Sequence, residues 1–85
     1  MALVLFDSVA TLNPINVARL TLVEPMEESA EQLARGQVGT VVDVVDQGER
    51  KHYLVEFADL EGREYAMAYL VESELLPLHY QFTAA

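Results

Sequence analysis

The sequence predicts a mainly all-β domain, a small barrel of five to six short antiparallel strands, and three observations lead to this prediction. First, residues 36–57 hold two runs rich in β-branched residues around a polar turn, which is the pattern of a β-hairpin. Second, several other short apolar segments are separated by Gly, Pro, Asn or Asp. Third, only one stretch is a candidate helix. Short strands joined by tight turns are typical of small barrels.

The length and composition of the chain indicate one folded domain, residues 1–85. Its 85 residues, of which 52% are hydrophobic, are too few for two cores and too apolar for a disordered chain. A domain of this size buries only about 60% of its unfolded surface, so association into a homodimer or larger homo-oligomer would add stability. There is no cysteine, which excludes disulfides and is consistent with a cytoplasmic protein.

The charge of the chain bears on its partners. Fourteen acidic and five basic residues give a formal net charge of −9, a field that repels the phosphate backbone of nucleic acids and attracts basic proteins. The apolar amino-terminal segment stops at Asp7 and is too short for a signal peptide or a membrane span. We therefore expect a cytoplasmic protein with a protein partner, possibly basic, and with neither a nucleic-acid nor a membrane partner.

The segments before the hairpin are predicted from their local pattern. Residues 3–12 form a first strand with Val9 and Ala10 at its centre, and residues 17–23 alternate apolar and polar positions as a half-buried strand does. Residues 26–35 follow a proline and are rich in glutamate. This pattern fits either a short helix or an ordered acidic loop, and both alternatives stay open at this point.

The hairpin itself is predicted to bend where it begins. Gly36 and Gly39 suit a sharp entry into a strand, and at Gly39 we expect a bend or a close approach of another backbone. The predicted turn covers residues 46–51. On the second strand one face is formed by Tyr53, Val55 and Phe57.

The strand predicted over residues 63–70 is apolar on both faces. One face carries Tyr65, Met67 and Tyr69, and the other carries Ala66, Ala68 and Leu70. On pattern alone burial is the commoner outcome for such a face, so the sequence favours Tyr65, Met67 and Tyr69 as core. The alternative is an exposed Tyr-Met-Tyr stripe of the kind that anchors protein interfaces. In both cases apolar surface is left to be covered.

The end of the chain reads as one 3₁₀ turn followed by a short closing strand. The turn is predicted at residues 71–74 and the strand at residues 75–78. Pro77 places that strand at a sheet edge, because proline donates no ladder hydrogen bond. The tail, residues 80–85, ends in small residues and is expected to fray.

Two sets of motifs resemble known folds. The run Gly36-Gln37-Val38-Gly39-Thr40-Val41-Val42, followed by Tyr53-Leu54-Val55-Glu56-Phe57, resembles an SH3-like barrel. Together with residues 59–66 and 75–80, these motifs resemble the bacterial domain-of-unknown-function family 4926. The resemblance covers residues 6–13 and 35–80, so residues 14–35 form an insertion between the first strand and the glycine motif. It implies a single SH3-like domain and no activity, and it assigns no site residues.

Candidate catalytic and metal chemistry is sparse. The two histidines, His52 and His79, could bind a metal only if they converged with carboxylates such as Glu56 or Glu64, and their spacing matches no metal motif. We interpret both as polar surface residues. No serine lies in a nucleophile-elbow pattern and no glycine-rich loop could cradle phosphate. The sequence therefore predicts no cofactor and no enzymatic activity.

The function predicted from the sequence is that of a small, acidic, non-enzymatic protein-interaction module. The candidate interface combines the aromatic strand with the acidic segment: Tyr65, Met67, Tyr69, Glu27, Glu28 and Glu31. Three alternatives stay open. The chain could be an antitoxin-like neutraliser of a basic protein whose glutamates mimic phosphate charge, a metal or small-ligand binder, or a structural homo-oligomer.

Overall fold

The structure is a computed structural model that describes residues 3–23 and 31–78. Within these residues the chain forms eight strands: β1 Ser8–Thr11, β2 Ile15–Asn16, β3 Thr21–Leu22, β4 Gln32–Leu33, β5 Val38–Gln47, β6 Arg50–Ala58, β7 Glu64–Leu70 and β8 Leu75–Pro77. Two 3₁₀ turns accompany them, η1 at Val17–Arg19 and η2 at Glu72–Glu74.

Six of these strands form one antiparallel sheet in the order β3-β7-β6-β5-β1-β8, and β2 pairs with β4 in a separate ribbon. The described residues contain no α-helix, so the prediction of a mainly antiparallel β domain is confirmed. The edge strands β3 and β8 are not hydrogen-bonded to each other, and the sheet is therefore not a closed barrel by its backbone pairing. None of the described segments is a helix capable of crossing a membrane.

The β5–β6 hairpin is the centre of the sheet, as the sequence predicts. Its turn is shorter than expected, because the strands pair as far as Gln47 and Arg50. Gly48 lies between them with a φ of +67°, a conformation that glycine adopts without steric cost. The register shifts between Val41 and Asp43. After this bulge, the alternation of side chains between the two faces of β5 is inverted.

Gly39 is in close contact with the neighbouring strand. It pairs with Phe57, and a Cβ at this position would lie 2.5 Å from Val55 Cγ1 and 2.8 Å from the carbonyl oxygen of Glu56. The expected close approach of backbone is confirmed, and it does not require positive φ. Gly36, in contrast, has a φ of +80° in the turn that precedes β5.

The core lies against one face of β6 and β7. Tyr53, Val55 and Phe57, which the sequence predicts to share one face, are fully buried. On β7, however, the buried side chains are Ala66, Ala68 and Leu70. The favoured interpretation, that Tyr65, Met67 and Tyr69 form the core, is wrong.

Cross-strand size explains this arrangement of β7. Phe57 pairs with Ala66, and Val55 pairs with Ala68. Beside Phe57 and Val55 only a small side chain fits at the packing density of a protein interior, whereas Tyr53 pairs with the larger Leu70 and both are fully buried. Met67 and Tyr69 therefore lie outside the core.

The segments before the hairpin differ from their prediction. Residues 3–12 are not one strand, because β1 begins at Ser8 after a turn at residues 4–7. In that turn the Asp7 amide donates to the Val4 carbonyl over 3.1 Å, and the Asp7 carboxylate accepts from the Val4 amide over 3.0 Å. A side chain that bonds its own backbone competes with strand pairing. Val9 and Ala10 lie at the centre of β1, as predicted, and both are buried.

The predicted strand at residues 17–23 is mostly a turn. Residues Val17–Arg19 form η1, and the side chain of Asn16 accepts from the Ala18 amide over 2.8 Å. Only Thr21–Leu22 pair as a strand, with Met67 and Ala66 of β7. The helix alternative for residues 26–35 is wrong in its described part, since residues 31–35 include strand β4. Residues 26–30 lie outside the described residues.

Thr11 holds together the base of the segment between β1 and β5. It is buried, and its amide donates to the Gln37 carbonyl while its carbonyl accepts from the Gly36 amide. Its hydroxyl donates to the Ala34 carbonyl and accepts from the Gln37 amide, each over 3.0 Å. Ile15 and Leu33, paired between β2 and β4, are buried beyond this point. The insertion is thus anchored to the core at its base.

The end of the described chain follows its prediction. The 3₁₀ turn η2 covers Glu72–Glu74, and β8 pairs with β1 at an edge of the sheet. Pro77 is in this edge strand, where a missing amide proton breaks no ladder. The predicted tail, residues 80–85, and His79 lie outside the described residues.

Candidate functional site

The side of the sheet opposite the core, which we call the outer face, brings together apolar and acidic side chains. The register across β5, β6, β7 and β3 places Thr40 beside Glu56, Glu56 beside Met67 and Met67 beside Thr21. The next row consists of Asp43, Leu54 and Tyr69. The outer face is formed by these residues and Glu64: Thr21, Thr40, Asp43, Leu54, Glu56, Glu64, Met67 and Tyr69.

The predicted Tyr-Met-Tyr stripe is divided by a bulge. The register of β6 and β7 shifts between Phe57 and Ala58. Tyr69 is 51% exposed and Met67 is half-buried, both on the outer face, whereas Tyr65 is half-buried and packs against the edge of the core. The burial of the Tyr65 ring, with the nearby charge of Asp59 as a smaller cause, raises the pKa of its phenol. The interface candidate is thus reduced to Met67 and Tyr69, with Leu54 as their neighbour.

The bulge also brings two carboxyl groups together. Ala58 pairs with Glu64 beyond the bulge, so Glu64 lies close to Glu56 on the outer face. A hydrogen bond shared with Glu56 raises the pKa of Glu64, and desolvation and the negative charge of Glu56 raise it further. The pair holds a proton more tightly than separate carboxylates would, because two like charges at close range cannot both ionise easily. Sequence spacing gives no signal of this contact, since seven residues that include a turn separate the two glutamates.

An ion pair borders the outer face at the end of β7. The Arg19 guanidinium donates to both carboxylate oxygens of Glu74, over 2.5 and 3.0 Å, and to the Tyr69 carbonyl over 3.3 Å. Glu74 Oε1 also accepts from the Val71 amide over 3.1 Å. The hydrogen bond from Arg19 is the main cause that lowers the pKa of Glu74, and the same bond raises the pKa of Arg19.

The ion pair connects the two edges of the sheet. Arg19 ends η1, two residues before β3, and Glu74 ends η2, directly before β8. Although β3 and β8 share no backbone hydrogen bonds, the segments that lead into them are joined by these side chains. The two edges therefore approach each other through η1 and η2.

Two clefts open on the described surface. One, of about 530 Å³, lies between the hairpin tip and η2 and is lined by Glu49, Arg50, Lys51, Tyr53, Val71, Glu72 and Ser73. The other, of about 460 Å³, is lined by Gly36, Gln37, Val38, Ala58, Asp59, Leu60 and Tyr65. We call the second one the Leu60 cleft. Leu60, at its rim, is fully exposed.

The metal hypothesis finds little support in the geometry. Residues 3–23 and 31–78 contain no group of three His, Asp or Glu side chains placed to hold a metal ion. Nδ1 of His52 is buried and makes no hydrogen bond within this part of the chain, and its charge contributes only a small part of the lowering of the Glu74 pKa. His79, the second candidate ligand, lies outside the described residues.

The acidic part of the predicted interface is described only at its end. Glu31 is exposed, and its backbone carbonyl accepts from the Val17 amide over 2.9 Å. Glu27 and Glu28 lie outside the described residues. The structure therefore places Glu31 beside η1 and does not bring it to the outer face.

Comparisons with known proteins identify a family. No curated protein and no solved structure matches the chain. A family model described as "Domain of unknown function (DUF4926)" matches residues 5–77, which contain every described strand and both 3₁₀ turns. The resemblance that the glycine motif and the later segments indicate is confirmed at the level of the family, and the chain belongs to the domain-of-unknown-function family 4926.

Proposed function

We propose that this chain is a non-enzymatic protein-interaction module that binds a basic protein partner through its outer face. The observation that carries the proposal is the position of Leu54, Met67 and Tyr69 on adjoining strands, outside the core. Aromatic residues and methionine are enriched in protein interfaces, where a few of them supply most of the binding energy. A sheet face with these residues at its centre suits that role.

The charges around these residues favour a basic partner. Asp43 and Glu56 flank the apolar centre in the adjacent register positions, and Glu64 lies beside Glu56. A lysine or arginine of a partner would offset the repulsion between these two carboxyl groups. Attraction of this kind speeds association most at low ionic strength, and it adds to the field of a chain with a net charge of −9.

We also propose that the domain is an SH3-like small barrel in the cytoplasm. The six-stranded antiparallel order supports the barrel, as does the Arg19–Glu74 pair that joins the segments leading into the two edge strands. An experimental structure tests it, and edges β3 and β8 that lie far apart would contradict it. The cytoplasmic setting is supported by the absence of cysteine.

The test of the binding proposal is capture of partners from a lysate by the tagged chain and by two variants. The double variant Met67→Ser with Tyr69→Ser removes the apolar centre of the outer face. Leu76→Ser is the matched control, because Leu76 is 48% exposed, close to the 51% of Tyr69, and lies in edge strand β8.

We expect a basic protein that is retained by the wild type and by Leu76→Ser, lost from the double variant, and released as salt is raised. Salt matters because the screening length falls from about 10 Å at 0.1 M to about 3 Å at 1 M. A partner retained by the double variant would place the interface elsewhere. A neutral or acidic partner whose binding does not change with salt concentration would contradict the proposal that the acidic side chains attract a basic partner.

A further inference from the structure

The turn at residues 4–7 displays an aromatic side chain from a strained backbone. Phe6 has a φ of +71°, and among the described residues it is the only one other than glycine with positive φ. Bulky residues rarely adopt this conformation, and it persists only where the surrounding structure enforces it. Phe6 is also 76% exposed, and its neighbours Val4 and Leu5 are exposed as well. The strain is therefore not offset by burial of the ring within its own chain.

Hydrogen bonds hold this turn rigidly on the sheet. The Phe6 amide donates to the Val41 carbonyl over 2.7 Å, and the Val41 amide donates to the Asp7 carbonyl over 2.9 Å. The Asp7 carboxylate closes the turn by accepting from the Val4 amide. A rigid, exposed aromatic loses little conformational entropy on binding, which is a property of interface anchors.

The Leu60 cleft has the complementary shape and chemistry. Its apolar wall is formed by Val38, Ala58, Leu60 and Tyr65. The turn that carries Leu60 is fixed in the same manner as the Phe6 turn, because the Asp59 carboxylate accepts from the amides of Glu61 and Arg63, each over 2.9 Å. A cavity of about 150 Å³ holds a benzene molecule, so the cleft of about 460 Å³ has room for a phenyl ring.

We propose that these two features bind each other between two copies of the chain, with Phe6 of each copy seated in the Leu60 cleft of the other. Both features lie along β5, since the Phe6 amide is bonded to Val41 and the cleft includes Val38. Three strand residues span about 10 Å, so Phe6 cannot fill the cleft of its own chain.

The area involved argues for a reciprocal contact. One aromatic side chain buries about 150–250 Å², whereas a stable interface buries about 800 Å² on each partner. In a two-fold dimer each copy buries its Phe6 ring and a comparable area of its cleft, about 300–500 Å² in all, and Val4 and Leu5 add to this at the rim. We therefore expect a weak dimer, populated at high micromolar to millimolar concentration.

Salt distinguishes this contact from the binding of a basic partner. Each copy carries a net charge of −9, and like charges oppose dimerisation until they are screened. The dimer is therefore expected to strengthen as salt is raised, whereas binding of a basic protein to the outer face weakens. The two proposals depend on different residues and fail independently.

The experiment measures mass by sedimentation velocity over a dilution series from micromolar to millimolar protein, at low and high salt. Phe6→Gly removes the ring and also relieves the positive φ, so loss of the dimer cannot be ascribed to a damaged fold. Leu60→Ser removes the wall of the cleft at a fully exposed position. Leu76→Ser is the exposed apolar control on strand β8.

We expect Phe6→Gly and Leu60→Ser each to raise the dissociation constant at least about 30-fold, the effect of losing one interface hot spot, and Leu76→Ser to dimerise like the wild type. Mixing Phe6→Gly with Leu60→Ser should restore part of the dimer, because the intact Phe6 of one variant then meets the intact cleft of the other. A wild type that stays monomeric at millimolar concentration and high salt overturns the proposal. So does a dimer that survives Phe6→Gly or Leu60→Ser, and so does a mixture that shows no recovery.

Discussion

The two faces of strand β7 show how little size alone predicts burial. The inner face carries Ala66, Ala68 and Leu70, all buried, and the outer face carries the larger Met67 and the half-exposed Tyr69. Ala66 and Ala68 are small because the paired side chains of Phe57 and Val55 on β6 already fill the core beside them. The difference teaches that the space available next to the neighbouring strand, and not the hydrophobicity of a residue, decides which face of a two-faced strand becomes core.

The strongest test of the inner face is at Gly39. Gly39→Val should destabilise the fold by about 3 kcal/mol, because the added Cβ would overlap Val55 and the Glu56 carbonyl in a packed interior. Gly48→Ala should cost only about 1 kcal/mol, since a Cβ there meets no atom within 4 Å and only the positive φ is unfavourable. Thermal unfolding followed by circular dichroism measures both. Equal melting temperatures would mean that the Gly39 contact is not tight.

The second test compares the two faces of β7 directly. Ala68→Leu adds volume beside Val55 on the inner face and should cost about 1–3 kcal/mol. Tyr69→Ser on the outer face should change stability by no more than about 0.5 kcal/mol. Urea unfolding of the two variants gives both values. A larger loss for Tyr69→Ser than for Ala68→Leu would reverse the assignment of the faces.

The third test concerns the border of the outer face. Glu74→Gln removes the charge of the Arg19 ion pair, whose side chains are 46% and 19% exposed, and solvent screening limits the expected loss to about 0.5–1 kcal/mol at pH 7. The pKa of Glu74 is lowered in the folded state. Its stabilisation is therefore present above the ordinary range of glutamate and is lost as pH falls through the folded pKa.

Unfolding measured from pH 7 to pH 3 should accordingly show the wild type and Glu74→Gln converging in acid. Glu49→Gln, in the hairpin turn, serves as the control. A difference between wild type and Glu74→Gln that is constant with pH would show that the charge of Glu74 is not what stabilises this contact.

The smallest effect on stability is expected at the Glu56–Glu64 pair. Here the interaction destabilises the fold at neutral pH, whereas the interaction of Glu74 with Arg19 stabilises it. The pKa of Glu64 is raised in the folded state, so the folded protein holds this proton more tightly than the unfolded chain does. The repulsion in the pair destabilises the fold at neutral pH, and this destabilisation disappears as pH falls through the folded pKa. Glu64→Gln should therefore be slightly more stable than the wild type at pH 7 and not in acid. Unchanged stability at both pH values would mean that the two carboxyls do not interact.

The sequence predicts those elements whose local pattern agrees with their surroundings. The hairpin, the close approach at Gly39, the 3₁₀ turn and the edge strand with Pro77 all follow from glycine, proline and β-branched residues. The prediction of a first strand over residues 3–12 is wrong for residues 3–7, because the Asp7 carboxylate closes a turn there. Hydropathy carries no information about that hydrogen bond.

The candidate site is only partly predictable. Met67 and Tyr69 were identifiable as one face of a strand, yet not as the exposed face, since that depends on cross-strand partners. The Glu56–Glu64 contact results from a bulge after Phe57, and alternation breaks at each bulge. Contacts between residues far apart in sequence, such as the one between Arg19 and Glu74, require the sheet order before they can be inferred.

The four hydrogen bonds of Thr11 have a consequence for the segment between β1 and β5. They fix both ends of the chain between β1 and β5, while the segment between those ends also supplies edge strand β3 and the core residues Ile15 and Leu33. Lengthening a closed loop costs little, about 0.6 kcal/mol for each doubling. An insertion that leaves β3, Ile15 and Leu33 in place can therefore add foreign sequence to this segment, such as a peptide tag or a binding loop, and the domain can serve as a scaffold for display.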